Sequence, residues 1–179
     1  MQENDFLKET IQQFRALKKL ADGAMAQVSN EHFFAQLDNE SNSIAMVLKH
    51  VGGNLRSRWT DLLTSDGEKP DRNRDGEFLQ TPKDTKENLL SYWEEGWRRA
   101  FESLERLTPA DLGRTVLIRS EPHTVIRATQ RSLSHTAQHV GQIVLLAKHY
   151  TGSQWRTLSI PRGKSQEFRD QMLEKHRKS

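Results

Sequence analysis

The sequence predicts an all-α fold, with four amphipathic helices packed as a bundle over residues 1–152 and an irregular tail over residues 153–179. Three observations carry this. Four stretches of roughly 20 residues repeat apolar side chains at the helical period. The strand-like alternation is confined to one short stretch, a small β-hairpin before the fourth helix. The breaks between the stretches hold cap and turn residues rather than further alternation.

The first helix is predicted from about Asn4 to Ala24, with Phe6, Leu7, Ile11, Phe14, Leu17 and Ala21 on one arc and Gly23 at its fraying end. The second starts after Asp38-Asn39-Glu40-Ser41-Asn42, a cluster rich in N-cap side chains. Ile44, Leu48, Val51, Leu55, Trp59 and Leu62 form its apolar arc, and it ends before Ser65-Asp66-Gly67. Gly52-Gly53 inside it costs about 2 kcal/mol of helix propensity against two alanines. That cost points to close approach of another backbone or a ligand, or to a mild kink. Residues Ser65–Asp84 read as a long polar loop, a kind usually functional or disordered. The third helix runs from about Thr85 to Leu107, with Leu89, Trp93, Trp97, Ala100, Phe101 and Leu104 on its core face. After Thr108-Pro109-Ala110-Asp111, the segments Arg114–Arg119 and His123–Ile126 alternate like a hairpin on either side of Ser120-Glu121-Pro122. The fourth helix spans about Val125 to Tyr150 and closes at Thr151-Gly152. In the tail, a short charged helix is expected from Gln166.

Composition narrows the function. Apolar residues make up 34% and charged residues 28% of the chain, lean for a core but enough for one apolar stripe per helix. Apolar runs such as Ile143–Ala147 fall far short of the roughly 20 residues a bilayer span requires. Met1–Asp5 is acidic and polar, unlike a secretory signal, so a cytoplasmic protein without membrane contact is expected. There is no cysteine, which excludes disulfides, thiolate ligands and a cysteine nucleophile. Any metal must therefore be held by imidazole and oxygen. The net charge is +3, but basic and acidic residues are mostly interleaved. A clear basic excess is confined to the tail (Arg156, Arg162, Lys164, Arg169, Lys175, Arg177, Lys178), so no nucleic-acid partner is expected.

Seven histidines occupy unequal positions. His135 and His139 lie four residues apart, about 40° from each other on one helical face, and can hand two imidazole nitrogens to one ion. A solvated or core-edge pair has the same spacing. The pair flanks the arc formed by Thr136, Val140, Ile143, Val144 and Ala147, where facing helices can add ligands. His50 holds a similar boundary position on the second helix, so two helices can supply three nitrogens and leave a position open. His50, Asn54, Arg58 and Asp61 share one edge of the second helix, and Gln142 falls on the histidine edge of the fourth. They read as a polar wall around a metal or as ordinary boundary residues, with the latter favoured for Asp61. His32, His123, His149 and His176 lack such company and are not expected to be ligands.

With these residues in place, the chain resembles the DinB-like (YfiT-like) metalloenzyme superfamily over Asn4–Tyr150. The most specific parts are Ser43-Ile-Ala-Met-Val-Leu-Lys-His-Val-Gly-Gly-Asn54 and Ser134-His-Thr-Ala-Gln-His-Val-Gly-Gln-Ile-Val144. The segments Asp66-Gly-Glu-Lys-Pro…Arg-Asp-Gly-Glu-Phe78 and Leu158-Ser-Ile-Pro-Arg-Gly-Lys-Ser165 look like a subfamily of unknown function. The resemblance implies an up-down-down-up four-helix bundle, often a homodimer, whose three-histidine site matches His50, His135 and His139 and takes nickel or zinc. Characterised relatives are thiol transferases and isomerases that use low-molecular-weight thiols. The superfamily's name records induction by DNA damage in one member and implies no contact with DNA.

The expected function is thus a divalent-metal-dependent transfer of a small thiol to an electrophile. Arg58, Arg162 and Lys164 are candidates to hold carboxylates of the small-molecule substrate, and Asn54 and Gln142 to support the metal or touch substrate. The loop Ser65–Asp84 and the segment Ile160–Ser165 are expected to border the pocket mouth. The rivals are a metal-dependent hydrolase, a non-catalytic stress-response bundle that sequesters metal or ligand, and a purely structural bundle.

Overall fold

The computed structural model describes residues 3–177. Met1 and Gln2 of the acidic start, and Lys178 and Ser179 of the tail, lie outside the described residues. The chain forms α1 (Glu3–Met25), α2 (Asn30–Phe34), α3 (Ile44–Trp59), α4 (Lys86–Arg106), β1 (Thr115–Ile118), β2 (Glu121–Thr124), α5 (Val125–Thr151) and α6 (Ser165–Arg177). It is therefore mostly helical, with one two-stranded antiparallel hairpin.

The four long helices α1, α3, α4 and α5 share a single apolar core. α3 packs on α4 and α5, and α1 packs on the same two helices. At its centre Phe14 meets Trp59 and Trp97 edge-on, and Trp93 meets Trp97 the same way. Each such fully buried side chain contributes about 1.5–3 kcal/mol of hydrophobic stabilisation. Trp93 keeps its polar edge satisfied by donating from Nε1 to Asp22 Oδ1 at 2.9 Å. Among the described residues no helix is long and apolar enough to cross a membrane.

Local chemistry sets the boundaries. Ser43, one residue past the expected cap cluster, caps α3 by accepting from the Met46 amide at 3.2 Å. Asp38 instead ties its own turn, accepting from the amides of Glu40 and Ser41. α3 ends at Trp59 rather than just before Ser65, because Asp61 turns the chain with a φ of 49°. Thr85 and Thr124 cap α4 and α5. α1 runs two residues beyond Gly23, and α2 forms where no helix was expected, capped by Ser29 and anchored by buried Phe33.

Gly52 and Gly53 mark close approach. A Cβ on Gly96 of α4 would stand 2.6 Å from the carbonyl oxygen of Gly52, so the two helix backbones touch there. A Cβ on Gly53 would stand 2.2 Å from Glu77 Oε1. The glycine pair thus admits both a helix and a side chain from the loop.

The long loop is ordered by its charges. The Asp66 carboxylate accepts from the amides of Arg119 and Ser120, clamping the hairpin tip. Those two residues, at φ 56° and 63°, form the hairpin turn one step earlier than the sequence suggested. Glu68 binds Arg58 and Arg119, and a short 3-10 turn at Asp75–Phe78 leads the loop over α3. Beyond α5 the tail docks as far as Leu158. Gln27 pairs with the Arg156 backbone, Trp155 packs on the core, and Leu158 lies against Gly23. α6 then has no buried residue.

Candidate metal centre

α3 and α5 bring His50, His135 and His139 together, with one ring nitrogen from each lying within 4.8 Å of the others. The ring centroids are 4.5–5.1 Å apart and the planes cross at 62–69°. This is a three-bladed arrangement whose lone pairs converge. His50 is buried, while His135 and His139 are half-buried. Three nitrogens each about 2.1 Å from one tetrahedral ion stand about 3.4 Å apart, close to the 3.0 Å between the Nε2 atoms of His50 and His135.

The outer nitrogens decide which lone pairs face inward. Glu77 Oε2 accepts from His50 Nδ1 at 2.8 Å, and Arg72 grips the same carboxylate with Nε and Nη2 at 2.8 and 2.9 Å. An ionised carboxylate only accepts, so the proton sits on His50 Nδ1 and its Nε2 carries the lone pair. Gln142 Oε1 accepts from His139 Nδ1 at 2.7 Å, which likewise leaves Nε2 free. His135 Nδ1 is buried without a hydrogen-bond partner among the described residues.

Electrostatics keep His135 and His139 neutral. Burial, followed by the neighbouring imidazoles, pushes His135 down to about 3. Burial also lowers His139, outweighing the Gln142 hydrogen bond that raises it. Glu77 moves the other way: burial raises its carboxyl, but hydrogen bonds from His50 and Arg72 outweigh that and hold it below the usual range. His135 and His139 therefore resist protons and offer their lone pairs to a cation. Three imidazole donors without thiolate or carboxylate suit borderline divalent ions such as zinc, nickel or copper, rather than magnesium or calcium. The donor set therefore fits a metal.

A cavity of about 170 Å³ opens beside the cluster, lined by His50 and His135 and by Asn54, Arg58 and Ser132 among others. Asn54 and Arg58 line the cavity beside His50 and His135, and Gln142 Oε1 lies against His139 Nδ1. Burial lowers the pKa of Arg58, partly offset by Glu68. Arg162 and Lys164 do not line this cavity. They lie exposed around the Pro161–Lys164 turn, and Lys164 pairs with Glu167 at 2.8 Å. Asp61 stays at the far end of α3. Among the described residues His32, His123, His149 and His176 join no such cluster. Sequence reasoning missed Glu77, Arg72, Arg74, Arg119 and Arg131. The first four sit in the loop and hairpin, where no periodicity aims a side chain. Arg131, one helical turn before His135, was within reach of the same face argument that selected Gln142.

Fold and site together define a helical protein with a three-histidine cluster that could hold a metal ion. The chain belongs to the family described as protein of unknown function (DUF1572), whose model matches residues 2–164. The match spans all three histidines and the ordered loop and ends just before α6. No curated protein matches the chain.

Proposed function

We propose that this protein is a divalent-metal-dependent enzyme and its family a branch of the DinB-like superfamily. On this reading α1, α3, α4 and α5 form the up-down-down-up four-helix bundle, and His50, His135 and His139 hold zinc or nickel. The observation that carries it is the convergence of three imidazoles, two of them oriented from behind by Glu77 and Gln142.

A divalent ion held by three histidines supplies an open position and a Lewis acid that lowers the pKa of a thiol or water. The chain's own residues do the rest. Glu77 and Arg72 fix the tautomer and aim of His50. Phe78, its ring centroid 4.7 Å from that of His50, shields one side of the cluster from water. Asn54 and Arg58 line the adjoining cavity and orient a small substrate there. The reaction favoured is transfer of a low-molecular-weight thiol to a small electrophile.

The first test is metal content of protein purified without a histidine tag, after reconstitution with zinc or nickel. One equivalent is expected; less than about 0.1 equivalent would overturn the metal reading. The second compares thiol-dependent turnover with thiol-free hydrolysis across small electrophiles. Thiol-free hydrolysis would replace the transferase with a hydrolase. Stoichiometric binding without turnover would leave a sequestering protein.

A further inference from the structure

Five arginines from four separate segments border the cavity beside His135: Arg58 of α3, Arg72 and Arg74 of the loop, Arg119 at the hairpin tip and Arg131 of α5. Guanidinium groups do not lose their protons, so gathering them is unfavourable unless anions balance them. The protein supplies only part of that balance. Glu68 and Glu77 are shared among Arg58, Arg72 and Arg119. Arg74 lies over the Phe78 ring, 5.3 Å from its centroid, and among the described residues its one carboxylate partner is Asp75, 3.7 Å away and 96% exposed. Arg131 has no hydrogen-bond or ion-pair partner among the described residues.

Two neutral donors face the same space. Asn54 is only 8% exposed, yet its side-chain amide meets no hydrogen-bond partner among the described residues. Ser132 accepts from Trp59 Nε1 at 3.2 Å, which leaves its own O–H proton to donate. The Asn54 amide atoms are not among those sealed from solvent, so they open on the cavity, where a ligand can take the place of water. The cavity therefore offers donors and uncompensated positive charge, and its carboxylates are already engaged. What complements it is an acceptor with more than one negative charge, because guanidinium forks match paired oxygens.

We propose that this cavity recognises a small dianionic oxyanion group, either the phosphate of a phosphate ester or a dicarboxylate. Arg131 and Arg74 supply the unbalanced charge, and Asn54 and Ser132 the neutral hydrogen bonds. As a substrate class this rests on the metal-enzyme reading; as a binding site it rests on the arginines, Asn54 and Ser132 alone.

The test is calorimetric titration of the full-length protein, metal-free and zinc-loaded, with inorganic phosphate and with malonate at constant ionic strength. Saturable one-to-one binding of at least one anion is expected. In the Arg74→Gln/Arg131→Gln variant, whose altered side chains are exposed, affinity should fall about tenfold or more. Its zinc stoichiometry should be unchanged. Tighter phosphate would identify a phosphate ester, and tighter malonate a dicarboxylate. Absence of saturable binding by both protein forms, or equal affinity in the variant, would overturn the proposal. Wild-type protein that takes up zinc but neither anion would sink the anion site alone. Phosphate binding retained in His135→Ala, with zinc lost, would uphold it independently of the ion.

Discussion

Glu77 Oε2 lies 2.8 Å from His50 Nδ1, with both side chains only 5% exposed, so a loop carboxylate sets the proton position of a helix imidazole. The link runs on to Arg72, whose side chain is 4% exposed. If the cluster holds a metal, this carboxylate fixes ring orientation and raises ligand basicity. Glu77→Gln keeps an acceptor oxygen but removes the charge, and it is expected to weaken zinc affinity about 10–100-fold. Zinc titration against a chelating dye measures this. Unchanged affinity would mean that Glu77 serves only to neutralise Arg72.

His135→Ala and His139→Ala should each abolish stoichiometric zinc or nickel while leaving far-ultraviolet circular dichroism nearly unchanged. Both rings are half-buried at the edge of the core, which the four long helices fill without them. Collapse of the helical signal in either variant would make the cluster a structural element.

How much of this was legible depends on whether periodicity reached the residue. The long helices and the shared face of His135 and His139 follow from spacing, because side chains a turn apart share a face. His50 is a plausible third from its boundary position, and only the family resemblance makes it an expected ligand. α2 escaped because a five-residue helix is too short to show a period. α3 showed one apolar arc but is buried on nearly every side, since the loop covers the face its polar residues mark. The hairpin turn was misplaced because Arg119 and Ser120 adopt positive φ without glycine or asparagine. What holds them is Asp66, more than 50 residues earlier in the chain. Glu77 and Arg72 were hidden for the same reason: a loop carries no rule that aims its side chains. Gly52-Gly53 did signal close contact, and only the structure named Gly96 and Glu77 as the contacts.

Two glycines in helices should respond to alanine with opposite signs. At Gly96 the new Cβ would meet the Gly52 carbonyl oxygen at 2.6 Å and Cα at 3.0 Å, backbone atoms that cannot rotate away. Separating α3 from α4 costs about 1–3 kcal/mol and exceeds the roughly 1 kcal/mol gained in helix propensity. At Gly141 in α5 a Cβ meets nothing within 4 Å, so the propensity gain stands alone. Thermal melts should show Gly96→Ala lowered and Gly141→Ala raised, each by roughly 2–4 °C. A raised Tm for Gly96→Ala would contradict the backbone contact described at Gly52.

Acid should expose one surface network before the core responds. Hydrogen bonds from Arg98 and then Arg99 hold the Glu95 carboxyl at about 2, against an ordinary value of 4.5. Because the folded state depresses this pKa, the stabilisation is fully present above about 4.5 and is lost as pH falls toward 2. The groups are one-third to one-half exposed, so the contribution is small and salt weakens it further. Urea midpoints measured between pH 6 and 2.5, covering most of that window, should fall less steeply in Glu95→Gln than in the wild type, and the difference should shrink at high salt. Parallel pH profiles at low salt would show that these arginines add nothing measurable to stability.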